Sequence, residues 1–346
     1  MKFINYILTI LVVALTITNG RAQDIHFSQF TTAPTYINPA AAGTYGGDYR
    51  GIMNFKEQFS SFNNAYRTYK FSFDAPVLRD RQTKKVGLGI DIFQDVAGDS
   101  KTRTTEVKIS GSYTANISSY SDITFGLGIG PTWYTADYSN LLWDAQFNGV
   151  DVEESLPTEE IFFKRNQVIF DFSTGAMFRY FAYDGFPYEF GFSVSHLSRP
   201  NTDIVKANVE LDRLPMKFIL HGKKEFEFPN YYDRYAFIPK FMFAKQRTAY
   251  EILLGGVIRY DISLHSKYTG YYKNSTIFAG LSYRYRDAVI PEVYFNYQEK
   301  YTIGVSYDVN VSQFVSASRY RGGFEVSLSM AGFFNERYKV VSPVTF

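Results

Sequence analysis

"STIFAGLSYRYR" (275–286) decides how the rest of the chain is read. In an extended backbone, successive side chains point to opposite faces, so every second residue shares a surface. Ile277, Leu281, Tyr283 and Tyr285 fall on one side, with small Ala279 among them. Thr276, Gly280, Ser282, Arg284 and Arg286 fall on the other, and only Phe278 breaks the pattern. A strand that alternates tyrosine with arginine must touch two very different surroundings.

The same period recurs along the chain. "VGLGIDIF" (86–93), "ITFGLGIG" (123–130), "YEFGFSVSH" (188–196), "YTIGVSYDV" (301–309) and "FEVSLSM" (324–330) all alternate apolar residues with Gly, Ser, Thr or a charge. Strict period-two patterning is the signature of half-buried strands. Alternation and turn signals give about fourteen segments. They centre on 49–59, 66–75, 85–95, 103–117, 122–136, 167–181, 187–196, 215–226, 234–245, 249–260, 275–286, 289–299, 300–309 and 322–334. No segment after the first 22 residues carries a long amphipathic helical pattern.

Composition narrows the host. Of 346 residues, 33 are Phe, 29 Tyr and 2 Trp, yet mean hydropathy is −0.20. The sheet is therefore aromatic on one face and polar on the other. "MKFINYILTILVVALTITNGRA" (1–22) has a basic start, a short apolar core and small residues at Gly20 and Ala22, so it reads as a cleaved export signal. Removing it takes away Lys2 and Arg21, leaving as many bases as acids, which excludes a general nucleic-acid binder. The chain has no Cys, so neither disulfides nor an N-terminal lipidated Cys enter the account.

Two hosts accept such strands, a soluble sandwich and a transmembrane β-barrel. A soluble sheet fills its wet face with Lys, Glu and Thr, whereas here that face is largely Gly and Ser with scattered charges. Glycines suit a crowded barrel interior, and strand-end tyrosines suit the lipid–water girdle. Compact connections such as "NISSYSD", "YDGFP" and "QEKY" contrast with long ones over 137–166, 197–215 and 310–323, as in a membrane barrel. The reading is an antiparallel transmembrane barrel over 49–334, an N-terminal plug or arm over 23–48 and a C-terminal tail over 335–346. Arg284 and Arg286 then point into a polar lumen, with Asp91, Asp308 and Glu325 as partners, because an unpaired charge in a confined site is costly.

The segment "QDIHFSQFTTAPTYINPAAAGTYGGDYRG" (23–51) begins without alternation. Its Phe27, Ser28, Gln29, Phe30, Pro34, Asn38, Pro39, Ala40, Ala42 and Gly43 resemble the "FSQ(F/Y)…P…NPA.AG" motif of PorP/SprF outer-membrane proteins of the type IX secretion system in Bacteroidota. "YKFSFDAPV" (69–77), "VGLGIDIFQDVAG" (86–98) and "GGFEVSLSM" (322–330) extend the likeness over nearly the whole chain after the signal. The resemblance implies a fourteen-strand barrel like that of the long-chain fatty-acid transporters. It also implies an outer-membrane, non-enzymatic component that helps export or retain a large secreted protein, such as a gliding adhesin, through that protein's C-terminal domain. Its partners would be that secreted domain, other secretion-system components and lipid. The runner-up is a channel or hydrophobic-substrate transporter. Asn38-Pro39 followed by small residues reads as a compact turn packed into or against the periplasmic mouth, or as an ordered arm closing the barrel.

No catalytic, metal or cofactor site stands out. His26, His196, His221 and His265 are scattered without ligand spacing. Ser195 and His196 are adjacent on a strand and so face opposite ways, which makes His196 an interface residue rather than a base. The acidic stretch 149–160 lacks the spacing of a calcium loop. In the same long connection, Leu142, Trp143 and Phe147 are apolar residues in a polar loop, and are candidates to anchor a partner.

Overall fold

In a computed structural model the chain is a closed antiparallel barrel. The structure describes residues 25–334 except 59–65, 81–82, 99–101, 137–143, 148, 150, 152, 154–155, 158–165, 182–186, 202–212, 229–234, 263–274, 313–314 and 316–319. The expected signal segment and C-terminal tail lie outside the described residues.

The strands are β1 (Tyr49–Gln58), β2 (Tyr66–Asp80), β3 (Thr83–Ala97), β4 (Thr102–Ser118), β5 (Ser121–Thr135), β6 (Asn166–Tyr180), β7 (Tyr188–Ser195), β8 (Lys217–Lys224), β9 (Phe226–Glu227), β10 (Tyr235–Gln246), β11 (Ala249–Asp261), β12 (Thr276–Arg284), β13 (Ala288–Tyr297), β14 (Tyr301–Asn310) and β15 (Arg321–Gly332). β8 and β9 both pair with β10 and are interrupted only at Glu225, so they form one stave. That makes fourteen staves, each bonded to its sequence neighbours. β1 closes the ring on β15, with Tyr49 opposite Gly332 and Gln58 opposite Gly323. A closed ring leaves no edge to satisfy in lipid.

Residue type follows the pleat, and in the opposite sense to a soluble protein. Outward-facing Leu127, Phe170 and Leu281 are 69%, 62% and 61% exposed, while inward-facing Lys56, Glu292 and Glu325 are each 1% exposed. Apolar exterior and charged interior are what hydrocarbon outside requires; Arg or Lys on the lipid face costs about 2–4 kcal/mol at the midplane. Phe278, the residue that breaks the alternation, lies inside against Val257 and Tyr294. The interior is thus not uniformly polar. A stripe of Ile219, Met242, Ala244, Leu253, Ala288 and Ile290 runs up one wall and is covered by Phe30 and Ile37 of the N-terminal segment.

The two ends differ. Tight hairpins join β2 to β3, β4 to β5 and β13 to β14 at the end where β1 begins and β15 finishes. We call this the hairpin end. The opposite, loop end carries the connections between β5 and β6, β7 and β8, and β14 and β15. Arg286 sits in the short loop-end turn after β12, exposed and with positive φ, and stacks over Tyr285. This corrects its expected lumenal position: the strand ends at Arg284, so the alternation cannot be carried two residues further.

Candidate functional site

The lumen holds residues 25–48. Instead of capping one mouth, this arm runs the length of the barrel. At the loop end, Lys56 donates to the His26 carbonyl at 2.9 Å, and Lys217 reaches toward the Ile25 carbonyl at 3.5 Å. At the hairpin end, the Gly43 N–H donates to Asp74 at 2.7 Å, and the Asp48 N–H to the Gly332 carbonyl. Short turns at Phe30–Thr32, Pro34–Ile37 and Pro39–Ala41 shorten the path. Pro34 and Pro39 each open a turn, where a missing N–H costs nothing.

Ser28 and Gln29 meet the charged part of the wall. The Ser28 and Gln29 N–H groups donate to the Glu325 carboxylate at 2.7 and 3.2 Å. The Ser28 hydroxyl donates to Asp308 at 2.8 Å and accepts from Arg284 at 2.6 Å. Arg284 is bonded to Asp308 at 2.8 Å and to Asp287 at 2.7 Å, and Lys56 lies 3.8 Å from Asp308 and 4.0 Å from Glu325. The Gln29 amide donates to Ser306 and to the Glu325 carbonyl, both at 3.0 Å, and accepts from Ser327 at 2.6 Å. Every polar atom of the Ser-Gln pair's side chains is matched, as a buried pair requires.

Further down, Thr35 donates to Asp91 at 2.7 Å, and Asp91 pairs with Lys70 at 3.1 Å. Asp91 therefore does not serve Arg284, and Glu325 is spent on the arm and Lys56. Tyr36 packs edge-on between Phe27 and Phe93, beneath the Lys108 ammonium. Asn38 reads the wall on two sides. Its side-chain oxygen accepts from the Ala40 N–H at 2.9 Å, and its amide nitrogen faces the carbonyls of Ala176 and Phe192 and the His221 ring.

Below Asn38 the wall recedes to admit the arm. A Cβ at Gly126 would strike the Ala40 backbone, one at Gly87 the Ala42 carbonyl, and one at Gly175 the Asn38 side chain. The glycines of the crowded interior are thus a cradle cut on three strands for residues 38–42. Ser193 and Ser112 donate to the Ile37 and Ala42 carbonyls, each at 2.6 Å. Asp74 gathers the end of the arm: it accepts from Arg50 and from the Gly43 N–H, while Tyr45 donates to its carbonyl at 2.8 Å. Sequence reasoning alone does not single out Lys56, Asp74, Ser112, Ser193 or His221. The in-phase polar residues of "YKFSFDAPV" (69–77) are the available signal for Asp74.

A type IX secretion system membrane protein family, PorP/SprF, matches over residues 19–330. The chain belongs to the PorP/SprF family. It is accordingly an outer-membrane component of type IX secretion, and the motif that signals the family is the segment threaded through its own lumen. Among curated proteins, none matches. The fold is that of the Ralstonia pickettii toluene transporter TbuX, at TM-score 0.50 and 11% identity over 91% of this chain and 96% of that one. The CymD monoaromatic hydrocarbon channel aligns at TM-score 0.47 and 11% identity over 91% and 95%. A Pseudomonas aeruginosa FadL homologue aligns at 0.40 and 9% over 82% and 89%.

Of the loop anchors, Leu142 and Trp143 lie outside the described residues, and Phe147 is 54% exposed beside the short turn Asp144–Gln146. His196 turns inward instead of facing the membrane interface: its Nδ1 is 2.7 Å from Asp171, and the Ser198 hydroxyl donates to the same carboxylate at 3.2 Å. A positive φ at His196 reverses the direction that regular strand geometry would give it. No cluster of three or more metal-ligating side chains occurs among the described residues.

Proposed function

We propose that this PorP/SprF protein is a non-enzymatic docking component that engages a secreted protein at its loop end. On this reading it helps export or retain a large surface protein, such as a gliding adhesin, by holding that protein's C-terminal domain, alongside other components of the secretion system. The observation that carries the reading is the filled lumen. An arm bonded to the wall from Lys56 to Asp74 occupies the lumen, which favours the faces of the barrel over its interior as the working surface. The exposed apolar Phe147, with Trp143 and Leu142 close in sequence, supports contact with a partner at the loop end.

Pull-down of the tagged protein from outer membranes, with mass spectrometry, tests this. A large secreted protein is expected to co-purify and to be lost when Trp143 and Phe147 are both changed to Ala. Recovery of no secreted partner, together with steady solute conductance of the wild-type protein in bilayers, would replace docking by a channel.

A further inference from the structure

The arm is bound as a ligand is bound. The ring of strands closes without it, and among the described residues no strand pairing joins it to the wall. Wall charges also close on one another: Arg284 with Asp308, Lys70 with Asp91, Lys240 with Glu292. Withdrawing the arm therefore leaves these ion pairs intact, so the steep cost of stranding a buried charge does not arise.

Many of the wall's bonds to the arm also go to groups that any polypeptide has. Lys56, Ser193, Arg50 and Ser112 donate to arm carbonyls, while Glu325 and Asp74 accept from arm N–H groups. Side-chain reading is spread along the arm, at Ser28, Gln29, Thr32, Thr35, Asn38 and Tyr45, and the glycine cradle demands small residues after Asn38. Beside the arm a small cavity of about 40 Å³ lies between Ile37, Ala41 and Thr44 on one side and Met177, Glu189 and Lys223 on the other.

We propose that the lumen is a peptide-binding site whose resident ligand is the chain's own arm. The class of ligand it takes is an unfolded polypeptide segment with a polar pair and an Asn-Pro turn followed by small residues, entering where the arm now lies. This stands on the lumen chemistry and not on the docking role, so it survives a pull-down that finds no secreted protein.

The test uses the full chain with a protease site inserted between Gly46 and Gly47, folded first and cut afterwards. A fluorescent synthetic peptide of residues 23–46 is then added in excess. Saturable uptake is expected, weakened at least about tenfold by Asn38→Ala or Ala40→Phe in the peptide. A barrel that loses its fold on losing the arm, and keeps it when peptide is present, supports the proposal equally. Failure of the cut arm to exchange, collapse with and without peptide, or equal uptake of a scrambled peptide would each overturn the proposal and make the arm a permanent part of the core.

Discussion

The two ends of the arm are held by different physics. Near the loop end, Ser28 and Gln29 sit among Lys56, Arg284, Asp308 and Glu325, and the grip is electrostatic. Near the hairpin end, residues 38–42 lie in a cradle of absent side chains at Gly87, Gly126 and Gly175, and there the grip is chiefly shape, with the Arg50–Asp74 pair closing on Ala41 and Gly43. A charged grip fails when one charge is removed, because its partner is left buried. A shaped grip fails when volume is added. The same arm can therefore be loosened from either end by opposite kinds of substitution.

The largest effect is expected at the charged end. Asp308→Ala removes the most deeply buried carboxylate paired with Arg284, at 2.8 Å, and an acceptor of Ser28, leaving the buried guanidinium to Glu251 and the more exposed Asp287. Breaking such a pair from one side costs about 3–5 kcal/mol, to be read as a fall in the urea midpoint of the folded barrel. Asp308→Asn keeps the shape and an acceptor oxygen, and should cost less. Because the chain has no cysteine, His26→Cys gives a single thiol near that end. Its labelling rate should rise at least about tenfold in the Asp308→Ala background, while a thiol placed by Thr44→Cys at the other end should change much less. Equal rises at both sites would show that the arm is released as one unit and would dissolve the comparison.

Gly126→Val makes the reverse experiment. The new Cβ meets the Ala40 backbone, which no rotamer change can relieve. Overpacking of this kind costs about 1–3 kcal/mol, and here the arm is the element able to move. Labelling should now rise at Thr44→Cys and stay low at His26→Cys. Leu127 is the next residue but faces outward; Leu127→Val should leave both rates near wild type, which separates the lumenal effect from a general loss of strand stability.

These contrasts also mark what is legible in the sequence. Period-two alternation places all fourteen staves, because the side-chain period of a strand is fixed by covalent geometry. It also places Arg284, Asp308 and Glu325 inside, since each lies in phase with small polar neighbours. What alternation cannot give is the path of a segment without a period. "FSQF" and "INPAAAG" are recognisable as a motif, yet nothing in them states that the chain crosses the barrel from mouth to mouth. From sequence, the glycines signify only crowding of the wall by itself. Their cause, a second piece of backbone in the lumen, depends on contacts between residues far apart in sequence, such as Ala40 with Gly126. Likewise phase alone offers Asp91 to an arginine it does not touch, because phase gives the face of a residue and not its neighbour around the ring.

Arg286 sharpens that last point with the smallest effect and a distinctive sign. As a lumenal charge it would be costly to remove. In the structure it is exposed in the turn after β12, with φ of 60°. An L-residue in the left-handed region carries a steric penalty of roughly 1–2 kcal/mol that glycine does not. Arg286→Gly therefore trades that strain against greater freedom of the unfolded chain, and should leave stability at wild type or raise it by up to about 1 kcal/mol. Arg284→Gly, two residues earlier on the same stave, removes the centre of the charged grip and should unfold or empty the lumen. If the two substitutions proved equally damaging, the turn would have to be redrawn as strand, and the boundary between wall and mouth at the loop end would move with it.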